Sequence, residues 1–259
     1  MDKNTYNTLK TVFFDYTKQF YKNSRLDDAL QEKLNHIIRV SENCVYIAKN
    51  IKLDENDILK AEICGLYHDI GRFSQLRDYK TLDDSKSVNH GIEGYNTIIK
   101  NNLLNSADKI EAETILNSVK FHNAISIPDN LNEQSVLFTN IVRDADKLDI
   151  FFMLNEAIVT NKIQNDKSTV WNLDFKEANQ VILDKILNNE CASYSEVKSA
   201  TDVCILQLGW IYDLNFYPTL QHIKDMKCIE NINRIIPLNK KTIETLNHLK
   251  NYMNNKIRN

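Results

Sequence analysis

The chain has 259 residues, of which 42% are hydrophobic and 26% charged, with a formal net charge of −3. So small a charge gives no electrostatic reason to expect binding to nucleic acid or to an anionic membrane. No stretch approaches the roughly 18 apolar residues of a membrane span, and the N-terminus lacks the apolar region of a signal peptide. We therefore expect a cytoplasmic protein that does not bind membranes.

The shortage of turn residues favours helices. Only 5 glycines and 3 prolines occur, whereas β-rich folds use more of both. The 5 cysteines are scattered without a C-x-x-C pair, which argues against a disulfide framework and against a zinc ribbon. The sequence therefore predicts an all-α fold, a bundle of about ten helices.

Apolar residues recur at helical spacing along nearly the whole chain. Asp27 and Asp54 are well placed at helix N-termini, and Gly71 is expected to end the third helix. The polar segment 72–88 is predicted to be a loop, and a loop of that length usually has a functional reason. Helices are expected at about 5–21, after 28, at 54–69, from 90, at 106–121, from 135, and at 175–189, 195–213, 218–230 and 240–257.

Histidines and acids recur inside these helices and at their ends. His68 and Asp69 end the third helix, His90 begins the next, and His122 ends the one after that. Each residue alone is explained as well by a buried histidine with a hydrogen bond, or by an acid at a helix end. As a set they predict a metal site, because imidazole nitrogen and carboxylate oxygen are ligands that intermediate divalent metals prefer.

The order of these residues resembles a known family. A helical His36, the doublet His68-Asp69, the later His90 and His122, and Asp146 in an Asp-Lys-Leu context are similar to the HD-domain superfamily of metal-dependent phosphohydrolases. The resemblance covers about residues 34–150. The segments His68-Asp69-Ile70-Gly71-Arg72-Phe73 and Ser87-Val88-Asn89-His90-Gly91 look like those of bacterial HD proteins.

The resemblance implies two bound divalent ions, of manganese, iron, zinc, magnesium or nickel. The first ion would be held by His36, His68, Asp69 and Asp146. Asp69 would bridge to a second ion, whose shell His90 and His122 would complete. Two such ions can lower the pKa of a shared water and stabilise the entering and leaving oxygens of a phosphoryl group.

Asp69, Arg72 and Lys147 are the catalytic residues that the resemblance leads us to expect. Arg72 directly follows the doublet and Lys147 directly follows the last ligand, so both are candidates to bind phosphate. For both cations an ion pair at the surface or at a helix end is an equally simple explanation. No further acid is identifiable as a dedicated proton donor to the leaving group.

The expected substrate is a small phosphomonoester or phosphodiester such as a nucleotide. Two alternatives stay open: the same six ligands occur in HD-fold di-iron oxygenases, and an HD fold can also sense nucleotides without catalysis. After His90 the sequence Gly91-Ile92-Glu93-Gly94-Tyr95-Asn96 lacks the proline of the Gly-Tyr-Pro motif that the HD-GYP group carries. The sequence therefore does not name the substrate.

No internal repeat, linker or change of composition divides the chain. We therefore predict one all-α domain over residues 1–259, with an HD core at about 26–155 and a helical extension at about 156–259. The last helix carries apolar residues among lysines and asparagines, and it is predicted to be a surface helix or a contact in a homo-oligomer.

Overall fold

The computed structural model describes residues 1–258, and none of these residues lies in a β-strand, so the fold is all-α as predicted. The α-helices are α1 (Lys3–Lys18), α2 (Asp28–Asn50), α3 (Glu55–Tyr67), α4 (Gly71–Tyr79), α5 (His90–Lys100), α6 (Lys109–Phe121), α7 (Glu133–Val159), α8 (Gln180–Leu187), α9 (Ala200–Gly209), α10 (Tyr217–Asp225), α11 (Cys228–Asn233) and α12 (Lys240–Arg258). Short 3-10 turns lie at Asp84–Lys86, Lys162–Gln164, Ser168–Val170, Tyr194–Glu196 and Trp210–Asp213.

Polar side chains begin most of the helices in the N-terminal half. Asp27 at α2, Asp54 at α3 and Asn89 at α5 each accept a hydrogen bond from a backbone amide in the first turn. Such caps satisfy amides that have no partner within the helix, and each contributes about 1 kcal/mol. The predictions that Asp27 and Asp54 mark helix starts are confirmed.

The prediction of a loop over residues 72–88 is wrong for residues 72–79 and agrees with the structure for residues 80–88, which contain one short 3-10 turn and no α-helix. Helix α4 begins at Gly71, directly after the turn that follows α3, and buries Phe73 and Gln75. Gly71 therefore does not stop a helix. A Cβ atom at Gly71 would overlap the His90 carbonyl oxygen and the Gly94 amide nitrogen, so glycine is needed because the backbones of α4 and α5 touch there.

Several predicted helices in the C-terminal half are too long. The expected helix at 195–213 is α9 with a 3-10 turn at its C-terminal end, and the one at 175–189 shortens to α8. The expected helix at 218–230 is two helices, α10 and α11, which meet at Lys227. That residue has a left-handed backbone with φ 59°, a conformation that an α-helix cannot contain.

The chain divides by packing into two compact units, Met1–Asp146 and Lys147 onward. In the first unit α2 packs along α3, and α5 packs against both α4 and α6. The second unit has its own apolar core, in which α12 packs against α8 and α10. A single domain over the whole chain, and a homo-oligomer contact through α12, stay predictions.

Neither a disulfide bond nor a helix suited to crossing a membrane is found among residues 1–258. All five cysteines are free, and Cys44 and Cys64 are buried as expected. No described helix combines the length and the apolar composition that crossing a membrane requires.

Candidate metal centre

The six predicted ligands come together inside the first unit. They lie on α2 (His36), in the turn after α3 (His68 and Asp69), at the first residue of α5 (His90), at the end of α6 (His122) and on α7 (Asp146). Donor atoms of His36, His68 and Asp146 lie within 4.8 Å of one another, and so do those of His68, Asp69 and His122. Five separate segments of the chain thus supply one cluster.

Asp69 stands between two pairs of histidines. Its Oδ2 lies 3.7 Å from Nε2 of His36 and 3.8 Å from Nε2 of His68. Its Oδ1 lies 3.3 Å from Nε2 of His90 and 3.8 Å from Nε2 of His122. The carboxylate therefore presents one oxygen to each pair, which is the arrangement of a bridging ligand.

Asp146 belongs to the His36 side of the cluster. Its Oδ1 lies 3.1 Å from Nε2 of His36, and Nε2 of His36 lies 3.4 Å from Nε2 of His68. Helix α7 is held beside α2 by a hydrogen bond from the Asn43 side chain to the Ala145 carbonyl, 3.2 Å long. This contact fixes the backbone next to Asp146.

Local backbone geometry orients two of the histidines. Nδ1 of His68 lies 2.7 Å from the Gly65 carbonyl, and Nδ1 of His122 lies 2.7 Å from the Val119 carbonyl. A carbonyl only accepts hydrogen bonds, so Nδ1 of each ring carries the hydrogen and Nε2 keeps its lone pair. Each lone pair therefore faces the cluster.

The protonation states are those that metal ligands need. Burial lowers the pKa of His68, and it lowers the pKa of His122 to about 3, so both imidazoles are neutral near pH 7. Burial by itself would raise the pKa of Asp69, but the Lys33 ammonium and the neighbouring groups hold that pKa well below its usual range. For Asp146, burial would likewise raise the pKa, but the hydrogen bond with His36 and the electrostatic effect of the neighbouring histidines together lower it.

Two features of the cluster fit a cation. Asp69 Oδ1 is buried and accepts no hydrogen bond from any residue in 1–258, although buried acceptors are nearly always paired. Nε2 of His90 and Nε2 of His122 are only 3.0 Å apart, and the Nδ1 atoms of both rings are already engaged with oxygen acceptors. Both rings therefore direct Nε2 to the same point, where two imidazole nitrogens can bind one divalent ion.

Two residues beside the cluster were missed by the reasoning from sequence. Nζ of Lys33 lies 3.2 Å from Asp69 Oδ2, and Asp84 Oδ2 lies 2.6 Å from Nδ1 of His90. Lys33 is three residues before His36 and so shares its helix face. This spacing could have indicated from the sequence that Lys33 lies near the cluster. Nothing in the local sequence distinguishes Asp84 from its neighbour Asp83.

The guanidinium of Arg72 forms several hydrogen bonds with neighbouring residues. Its Nη1 donates hydrogen bonds to Gln75 Oε1 at 2.8 Å, to the Leu82 carbonyl at 2.7 Å and to Asp84 Oδ1 at 2.8 Å. Its Nε lies 3.4 Å from Asp69 Oδ1. The guanidinium therefore borders the cluster, and its role in binding phosphate stays a prediction.

Lys147 makes its ion pair outside the cluster. Its Nζ lies 2.9 Å from Asp213 Oδ2, a partner within the second compact unit. Among the residues described here, this is the one ion pair of Lys147. Its role in binding phosphate also stays a prediction.

Comparison with known proteins identifies the family of this part of the chain. Residues 34–150 match the family model of the HD domain, and this range contains all six clustered residues. Searches of curated proteins and of solved structures found no match to the chain. Residues 34–150 of this protein are therefore a member of the HD-domain family.

Proposed function

We propose that the protein is a metal-dependent phosphohydrolase that acts on a small phosphomonoester or phosphodiester such as a nucleotide. The observation that carries the proposal is the division of Asp69, with Oδ2 beside His36 and His68 and Oδ1 beside His90 and His122. A carboxylate shared between two pairs of histidines is suited to holding two divalent cations.

The chain offers a donor set for each ion. His36, His68 and Asp146 would hold the first, His90 and His122 the second, and Asp69 would be shared between them. Manganese, iron, zinc, magnesium and nickel all accept such nitrogen and oxygen ligands to different degrees. Divalent ions bound there would supply Lewis acidity toward phosphoryl oxygens and would lower the pKa of a coordinated water.

Cations of the chain beside Asp69 would bind the anionic substrate. Lys33 is the better placed, because its side chain is 27% exposed and so can meet a ligand from solvent. Arg72 would add positive charge through the part of its guanidinium that faces Asp69 and His90. For Lys147, the carboxylate of Asp213 would compete with a phosphoryl oxygen for the ammonium group.

Phosphate release with and without metal tests the proposal. Protein purified without chelator would be assayed on a panel of nucleotides and generic phosphate esters, then after chelation, and then after each metal is restored. We expect hydrolysis that chelation abolishes and that one or more of the metals restores. The Asp69→Ala variant should be inactive throughout, and Asp83→Asn, a change in an exposed acid, should be as active as wild type.

The other outcomes of this assay separate the alternatives. Two bound irons together with no phosphate release on any ester would favour an HD-fold oxygenase. Tight binding of a nucleotide without its hydrolysis would favour a sensing module. Either result would contradict the proposed phosphohydrolase.

A further inference from the structure

The three buried histidines of the cluster are not oriented in the same way. His68 and His122 follow the last turns of α3 and α6, and each bonds the carbonyl three residues earlier in its own helix. His90 is the first residue of α5, so no preceding helical turn offers it a carbonyl. Its Nδ1 is 2.6 Å from Oδ2 of Asp84, a carboxylate from the 3-10 turn before the helix.

Asp84 is itself held by contacts on both oxygens. Oδ1 accepts hydrogen bonds from Arg72 Nη1 at 2.8 Å and from Gln75 Nε2 at 3.0 Å. Oδ2 accepts a hydrogen bond from the backbone amide of His90 at 3.2 Å, in addition to its contact with Nδ1. Because α4 supplies Arg72 and Gln75, the carboxylate is fixed between α4 and the start of α5.

The Asp84 contact determines which nitrogen of His90 faces the cluster. An ionised carboxylate only accepts hydrogen bonds, so Nδ1 carries the hydrogen and Nε2 presents its lone pair toward Asp69 and His122. A carboxylate on the far nitrogen also makes an imidazole a stronger ligand, and loss of such a partner typically weakens metal binding about 10–100-fold.

We propose that Asp84 is a positioning residue that sets the affinity of the His90–His122 side of the centre for its cation, while the His36 side is independent of it. The proposal rests on the two-ion centre described above. His68 and His122 keep their own backbone partners when Asp84 is lost. Of the six proposed ligands, His90 contacts Asp84 directly, so we expect the main effect of Asp84 to pass through His90.

Titration of metal-free protein with Mn²⁺, followed by the EPR signal of free Mn²⁺, tests this directly. Wild type should bind two ions. In Asp84→Ala one of the two sites should weaken about 10–100-fold, while the other changes by less than about 3-fold. Asp84→Asn keeps a neutral acceptor of the same shape, so the Mn²⁺ affinity of its weakened site should lie between those of wild type and Asp84→Ala. This variant replaces Asp84→Ala in the test if the alanine variant folds poorly.

Two further variants make the test specific. Asp83→Asn changes the neighbouring acid of the same turn, which contacts Ser85 and Lys86, and should leave both sites unchanged. His90→Ala should resemble Asp84→Ala, and combining the two changes should weaken Mn²⁺ binding no further than His90→Ala alone, because residues that act through one another are not additive.

A readout without metal tests the hydrogen bond itself. The side-chain ¹⁵N NMR signals of His90 in chelated wild type should show the hydrogen on Nδ1. In Asp84→Ala the hydrogen should be less strongly held on Nδ1, whereas Asp83→Asn should match wild type.

The results that would contradict the role of Asp84 differ from the results that would contradict the proposed hydrolysis of phosphate esters. Two unchanged sites in Asp84→Ala, equal weakening of both sites, or a wild-type protein that binds one Mn²⁺ would each overturn the role of Asp84. Two Mn²⁺ ions in wild type, selective weakening in Asp84→Ala and no phosphate release on any ester would support that role and contradict the proposed reaction.

Discussion

The two compact units bury charge in different ways. In the first unit the buried ionisable side chains His68, Asp69, His90 and His122 contact one another, and a buried oxygen of Asp69 accepts no hydrogen bond from residues 1–258. In the second unit the buried Asp202 accepts backbone hydrogen bonds, from the Asn179 amide at 2.6 Å and the Lys198 amide at 2.9 Å. One oxygen of Asp69 is thus left without a hydrogen bond, while both oxygens of Asp202 stabilise the backbone of the second unit.

This difference indicates where function lies. Burying a charge is costly unless partners compensate it, and Asp202 meets that condition with amides of the chain. In the cluster, Oδ2 of Asp69 pairs with Lys33, but the buried Oδ1 accepts no hydrogen bond from residues 1–258, and such sites are typical of ligand binding. We therefore expect substitutions at Asp69 and its neighbours to affect activity, and substitution of Asp202 to affect stability.

The largest expected effect is the loss of activity on removing the shared carboxylate or its neighbour. Asp69→Ala and His68→Ala should each lower phosphate release by at least about 10³-fold, because each residue contributes to the charge and geometry of the metal centre. Helix content measured by circular dichroism should stay at the wild-type level. Full activity in either variant would show that the cluster is not the site of the reaction.

A second prediction concerns pH and the stability of the chelated protein. Burial lowers the pKa of His122 from 6.5 to about 3, so between these values the unfolded chain binds a proton that the folded chain does not. The contribution of His122 to the free energy of unfolding is therefore fully present above about pH 6.5 and decreases as the pH falls. At about pH 5 the loss from this residue is about 2 kcal/mol.

Urea unfolding of chelated protein at neutral pH and near pH 5 measures this loss. His122→Asn cannot take up the proton, so it should lose about 2 kcal/mol less than wild type over the same interval. Equal losses in the two proteins would contradict a neutral, buried His122.

Removing the buried acid of the second unit should affect stability instead of activity. Asp202→Ala leaves two backbone amides without their acceptor, so the free energy of unfolding should fall by about 1–3 kcal/mol. Mn²⁺ binding and phosphate release at a temperature where the variant is folded should equal those of wild type. A selective loss of metal binding would remove the distinction between the two units.

The smallest effect is expected at Arg72. Arg72→Ala should raise the KM for a phosphate ester about 10-fold, as expected for loss of one charged contact to the substrate, with the Mn²⁺ stoichiometry retained. Arg77→Ala is the matched control, since Arg77 lies on the same helix and pairs with Asp78. Because Arg72 also anchors Asp84, the KM is measured at saturating Mn²⁺, and an unchanged KM there would contradict a contact between Arg72 and the substrate.

The helices that carry the cluster could be predicted because their signals are local. Apolar spacing and capping acids locate α2 and α3, and the order of the histidines and acids relates residues that are distant in sequence. Helix α4 was missed because Gly71 is a common helix stop, while its role here is to let α4 approach the backbone of His90 and Gly94. That approach depends on tertiary packing, which the sequence of the segment does not display.

The neighbours of the ligands were less predictable than the ligands. The contact between Asp84 and His90 requires both the turn at Asp84–Lys86 and the anchoring contacts from Arg72 and Gln75. Likewise nothing near Lys147 in the sequence points to Asp213, its partner in the second unit. Residue spacing indicates which side chains share a helix face, whereas partners from other elements depend on how the helices pack.

Anomalous X-ray diffraction from crystals soaked in Mn²⁺ tests the two-ion centre most directly. We expect two anomalous peaks, one between Asp69 Oδ2 and the side chains of His36, His68 and Asp146, and one between Asp69 Oδ1 and the side chains of His90 and His122. A single peak would contradict the shared role of Asp69. The absence of any peak at the cluster, in crystals that bind Mn²⁺ elsewhere, would contradict the metal centre itself.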